Sequence, residues 1–97
     1  MFARVADYRF PLDKLDQGVE AFNRGMESIG RLPGIREGYC LVDRAGGKAV
    51  TITLWESEQA LIASVEAGKR VRNEGTTSAA GTVESVAEYE VVVHKQF

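Results

Sequence analysis

A chain of 97 residues with 44% hydrophobic content suffices for one domain around one modest core and leaves no room for a second. Its 12 Lys and Arg and 14 Asp and Glu are interspersed, for a formal charge of -2, and lack the basic footprint that a nucleic-acid partner requires. Cys40 has no second Cys for an internal disulfide and no Cys or His at metal-ligand spacing, so no metal site is expected and a small apolar strand residue is the simplest reading.

The first residues enter an alternating pattern directly (Phe2, Arg4, Asp7, Arg9), without an apolar run of signal-peptide or membrane-span length. No membrane partner and a cytoplasmic location are the expectation. A first strand over about Phe2 to Phe10 places Phe2, Ala6, Tyr8 and Phe10 on one face and Ala3 and Val5 on the other. Pro11 ends it, and Asp13 is placed to cap a helix in which Leu15, Val19, Phe22, Met26 and Ile29 recur at steps of four and three. Full burial of that stripe contributes on the order of 10 kcal/mol as an upper estimate. Glu20 with Arg24 and Glu27 with Arg31 stand four apart on its outer face and read as solvated structural pairs. Gly18 and Gly25 each cost about 1 kcal/mol inside a helix. They indicate close packing, room for a ligand, or tolerated drift.

Leu32, Pro33 and Gly34 stop the helix. A second strand over about Arg36 to Asp43, a turn through Gly46 and Gly47, and a third strand from Ala49 to Trp55 form a hairpin. Ser57 is placed to cap a second helix that carries Leu61, Val65 and Val71 and fades near Gly75. Residues 76 to 82 read as a mobile connection, and a last strand runs from Val83 to about His94.

The order strand, helix, strand, strand, helix, strand is that of a ferredoxin-like βαββαβ antiparallel sheet, an α+β fold with both helices on one face, over residues 1–97 as a single domain. Val50, Ile52 and Leu54 alternate with Thr51, Thr53 and Trp55, and Tyr89, Val91 and Val93 with Val86 and Val92, so the helix-free face is apolar as well. A homodimer packed sheet face to sheet face is therefore expected.

With LPGI followed by GYCLVD, and with LWESEQALIAS running from the third strand into the second helix, the chain resembles the antibiotic biosynthesis monooxygenase domain of the dimeric α+β barrel superfamily. The resemblance covers nearly the whole chain. It implies a cofactor-independent monooxygenase acting on a small aromatic or polyketide-like substrate. The haem-cleaving branch of the superfamily uses an Asn on strand one, a Trp on strand three and an iron-ligating His on helix two. Here the corresponding positions are Tyr8 and Trp55, and residues 57–75 contain no histidine, which disfavours haem chemistry.

Cofactor-free oxygenation needs a dry aromatic pocket, hydrogen-bond donors and a base, because an electron-rich anion can itself reduce dioxygen. The resemblance puts the pocket between the first helix and the helix-side face of the sheet, with Tyr8, Phe22, Met26, Thr51, Thr53 and Trp55 as substrate-binding candidates. Tyr8, Trp55, Arg72 and His94 are the catalytic candidates, Arg72 as receiver of an anionic oxygen. His94 is the one imidazole, but its place late in a terminal strand suits the surface or a dimer edge. Phe22 and Met26 also read as core, Trp55 as a strand-end anchor and Arg72 as a solvated charge. The alternative function is a non-catalytic dimeric small-molecule-binding or regulatory protein, which needs the same cavity but no base.

Overall fold

The computed structural model describes residues 1–97. Its elements are β1 (Phe2–Arg9), a 3₁₀ turn (Leu12–Lys14), α1 (Leu15–Ile29), β2 (Ile35–Asp43), β3 (Lys48–Trp55), α2 (Glu58–Ala63), α3 (Val65–Ser78) and β4 (Thr82–Glu90). The strands form one antiparallel sheet in the order β2-β3-β1-β4, the expected βαββαβ topology with the second helix in two pieces.

Register assigns the faces. β1 pairs with β3 so that Arg4 opposes Thr53, Ala6 opposes Thr51 and Tyr8 opposes Ala49, all on the helix side. The intervening residues, Val5 opposite Ile52 and Ala3 opposite Leu54, point to the other side together with Tyr39, Leu41 and Tyr89. Phe10, Tyr8 and Phe22 make the centre of the core. Tyr8 and Phe22 have ring centroids 4.5 Å apart, and Phe10 meets Phe22 edge-on at 5.9 Å. Trp55 is fully buried with Ile29 and Leu61 in a second cluster.

Close packing explains the helix glycines. A Cβ on Gly18 would stand 2.6 Å from the Phe10 ring, and one on Gly25 would stand 2.5 Å from a Val71 methyl, so the second glycine sets the approach of α1 to α3. No ligand space is needed to account for either.

Several expected boundaries move. Asp13 lies within the 3₁₀ turn and makes no capping bond, because Pro11 and the turn deliver the chain into α1 directly. Glu20–Arg24 and Glu27–Arg31 are not among the ion pairs of the fold; Arg44 bridges from the hairpin to Asp16 of α1 instead, at 2.6 Å. Ser57 does cap α2, accepting from the Ala60 N–H at 3.1 Å. The second helix then breaks at Ser64, whose hydroxyl donates to the Leu61 carbonyl at 2.6 Å and is held by Arg4 at 2.9 Å.

Nor does the helix fade at Gly75. It continues to Ser78 through residues read as a mobile connection, because Gly75 gives clearance to the Phe22 ring and Thr76 is buried with its hydroxyl on the Arg72 carbonyl. β4 ends at Glu90 rather than near His94, since its ladder with β1 closes at Phe2–Glu90 and Val91 adds one last bond to the Met1 carbonyl.

Candidate functional site

Between α1, α3 and the helix-side face lies a slot of about 30 Å³. β1 supplies Arg4, Ala6 and Tyr8, β3 supplies Thr51, Thr53 and Trp55, α1 supplies Phe22, Met26 and Ile29, and α3 supplies Gly68, Val71 and Arg72. All six substrate-binding candidates and three of the four catalytic candidates therefore converge on one cavity. The fourth does not. His94 lies beyond the end of β4, half-exposed, with Nε2 4.0 Å from the Glu37 carboxylate at the start of β2.

Period-two alternation does most of the placing, since Tyr8, Thr51, Thr53 and Trp55 are forced to the same side by strand geometry and antiparallel register. The strand-borne polar groups then satisfy one another. Tyr8 Oη and Thr51 Oγ1 are 2.8 Å apart, and Trp55 Nε1 donates to Thr53 Oγ1 at 2.9 Å. Burial pushes the Tyr8 phenol up from 10.0 to about 12, with the Thr51 bond and the Arg72 charge pulling weakly the other way. At neutral pH Tyr8 is therefore a proton donor and not a base.

Arg4, which the alternation marks only as a strand charge, is the residue that sequence reasoning missed. It is almost fully buried, its Nε and Nη2 donate to one Glu88 oxygen at 3.1 and 2.8 Å, Nη1 donates to Ser64 Oγ, and Nη2 also reaches the Leu61 carbonyl at 2.9 Å. Its signal in the sequence is slight: an Arg on the face of a central strand that otherwise carries aromatic and small residues.

Arg72 approaches the same place from α3. Both guanidiniums flank Gly68, with Arg4 Nη1 at 3.2 Å and Arg72 Nη1 at 3.1 Å from where a Cβ would stand. The nearby carboxylate, Glu88, is held by Arg4. Arg72 takes no part in the ion pairs of the chain and is half-buried against the slot. Burial, joined by the Arg4 charge, lowers its pKa, against the opposing pull of Tyr8 and Glu88, but a guanidinium stays protonated near neutral pH. The result is an aromatic-walled slot with one free cation and one phenolic donor, suited to an anionic oxygen on a flat apolar body.

No imidazole or carboxylate lines the slot. No group of three or more His, Cys, Asp or Glu side chains converges in the chain, and no helix is long and apolar enough to cross a membrane.

No protein-family model and no curated protein matches the chain. Solved structures do match it, through the fold. A crystal structure of an antibiotic biosynthesis monooxygenase superimposes with TM-score 0.70 at 19% identity, over 96% of this chain and all of the other. SnoaB, a cofactor-independent oxygenase from Streptomyces nogalater studied as its N63A mutant, gives TM-score 0.77 at 12% identity over 96% and 94% of the two chains. Rv0793 from Mycobacterium tuberculosis gives 0.73 at 14% identity over 98% of each. At such identities the likeness is one of architecture: the chain has the fold seen in antibiotic biosynthesis monooxygenase structures.

Proposed function

We propose that the slot binds a small aromatic or polyketide-like compound through an ionised oxygen and that the protein is a cofactor-independent monooxygenase for it. The observation that carries this reading is the unpaired Arg72 cation beside the Tyr8 hydroxyl in a slot whose other polar side chains, Arg4, Thr51 and Thr53, already have partners. A cation and a phenolic donor on one oxygen favour the enolate or phenolate over its neutral acid, so the substrate is ionised by its surroundings and solvent carries off the proton. This replaces the missing general base.

The ionised substrate is electron-rich enough to reduce dioxygen itself. For an anthrone, the carbon opposite the ionised oxygen bonds to one oxygen of O₂, the adduct takes up a proton to become a hydroperoxide, and loss of the remaining C–H proton with cleavage of O–O leaves a quinone carbonyl and water. One oxygen atom enters product and the other leaves as water, so no external reductant is consumed. The structural likeness to SnoaB is consistent with this chemistry.

The test is to mix the protein with anthrone in air and follow quinone absorbance. Arg72→Gln and Tyr8→Phe are each expected to lower kcat about 10²-fold or more, as loss of one oxyanion donor does. Turnover indistinguishable from buffer in the wild type would sink the enzymatic reading.

The absence of a carboxylate or imidazole from the slot favours a second reading, a dimeric binding or regulatory protein that holds the same ligand unchanged. Saturable quenching of Trp55, the only tryptophan, without product would identify it. In either case we place the protein in the cytoplasm as a homodimer, the apolar open faces of two sheets packed together.

A further inference from the structure

At about 30 Å³ the slot holds about one water, whereas organic ligands occupy sites of roughly 300–1,000 Å³. A side chain has to move before any ring enters, and two walls compete for the role. Between α1 and α3 the wall is the Gly25–Val71 contact, where the space a Cβ would fill is already taken by a Val71 methyl. Valine is stiff at χ1, so opening that wall means parting two long helices.

The wall toward β2 is a single side chain. Met26 is half-buried and lies over Gly38, its Sδ 2.7 Å and its Cγ 3.2 Å from where a Cβ would stand on that strand. Met26 and Ile29 line both the slot and a cleft of about 210 Å³ between α1 and β2, which Gly30, Ile35 and Gly38 complete with the flanking Arg36 and Glu37. An unbranched thioether with three rotatable bonds swings out at small cost, where a β-branched residue does not.

We propose that Met26 is a movable plug and that, with it turned aside, slot and cleft become one elongated site for a planar fused-ring compound ionised at one end and uncharged at the other. The inference rests on the anionic reading of the slot. Arg72 and Tyr8 hold the ionised oxygen, the rings lie along Trp55 and Ile29, and the far ring passes over Gly38, where no side chain obstructs it. The mouth offers no free cation to a second anionic group, because Arg36 reaches Glu56 at 3.7 Å and the neighbouring Glu37 is itself a carboxylate.

The experiment measures association of anthrone, under nitrogen so that nothing turns over, with the full chain and four variants. Met26→Ala is expected to raise the association rate constant about tenfold by removing the plug, since a required conformational change is what slows entry. Met26→Leu keeps nearly the same volume with less freedom, a swap that cores tolerate well, and is expected to slow association. Val71→Ala shortens the competing wall and is expected to raise the rate less than Met26→Ala does. Arg72→Gln should weaken affinity about tenfold, the loss of one charge-assisted hydrogen bond.

Faster entry in Val71→Ala with none in Met26→Ala would overturn the plug and leave the anionic site standing. Unchanged affinity in Arg72→Gln would remove the anionic reading, and with it the assignment of the ionised end. Anthrone that binds neither wild type nor Met26→Ala would overturn both.

Discussion

The two faces of the sheet are built from alternate residues of the same strands, yet they are incomplete in different ways. On the helix side polar groups are matched in pairs, Tyr8 with Thr51, Trp55 with Thr53 and Arg4 with Glu88, and only Arg72 is left over. On the open side Tyr39, Leu41 and Tyr89 remain 44%, 49% and 57% exposed, with Val5, Ile52 and Leu54 between them. The first face keeps one unpaired cation, the second a row of exposed apolar side chains. The two phases of one alternating pattern thus give a sheet covered on one side only two chemically different faces.

The comparison is sharpest where the helix-side face is damaged. Phe22→Ala removes the ring that meets both Tyr8 and Phe10, and is expected to cost about 3 to 5 kcal/mol in urea unfolding. An unfolding midpoint close to that of the wild type would mean that the slot wall collapses to fill the void.

Next comes an alkaline titration. Because the folded state holds the Tyr8 proton up to about 12 while the unfolded chain releases it near 10.0, this stability is complete below pH 10 and is lost as pH rises to about 12. The loss is roughly 2 to 3 kcal/mol. It should appear as the difference in pH dependence between wild type and Tyr8→Phe, and parallel curves would contradict the burial of the phenol.

Arg4→Met removes the buried guanidinium that joins Glu88, Ser64 and Leu61 at the wall of the slot, and is expected to cost about 1 to 3 kcal/mol in urea unfolding, the range for a buried hydrogen-bonded group. It does not reach the larger penalty of an orphaned buried charge, because Glu88 is half-exposed and water can take up its carboxylate.

The open face gives the smallest effect on the folded monomer. Leu41→Lys is expected to change its stability by no more than about 0.5 kcal/mol, as for an exposed site. The same change should halve the sedimenting mass of the wild-type assembly, and a wild type already monomeric at micromolar concentration would show that the face needs no partner.

Much of this was legible in the chain because it depends on local rules. The hairpin followed from Gly46 and Gly47, the latter at φ +65°, and the convergence of Tyr8, Thr51, Thr53 and Trp55 followed from period two once the hairpin and the strand order were in place. What escaped depends on distant residues. The break at Ser64 is set by Arg4, 60 positions earlier, and nothing around Ser64 announces it. Gly75 looks like a helix stop by composition and is instead the clearance for Phe22. His94 is a candidate base by its chemistry alone, its place late in a terminal strand already suits the surface, and its absence from the slot reflects where β4 stops pairing.

The central position of β1, between β3 and β4, has a kinetic consequence. The hairpin of β2 and β3 can close from contacts near in sequence, but the middle of the sheet awaits a strand pairing whose members are up to 88 positions apart. Contacts so remote slow folding. A nascent chain therefore cannot finish its sheet until residue 90 has left the ribosome, and until then the apolar flank of its first strand stays within reach of neighbouring chains or of chaperones.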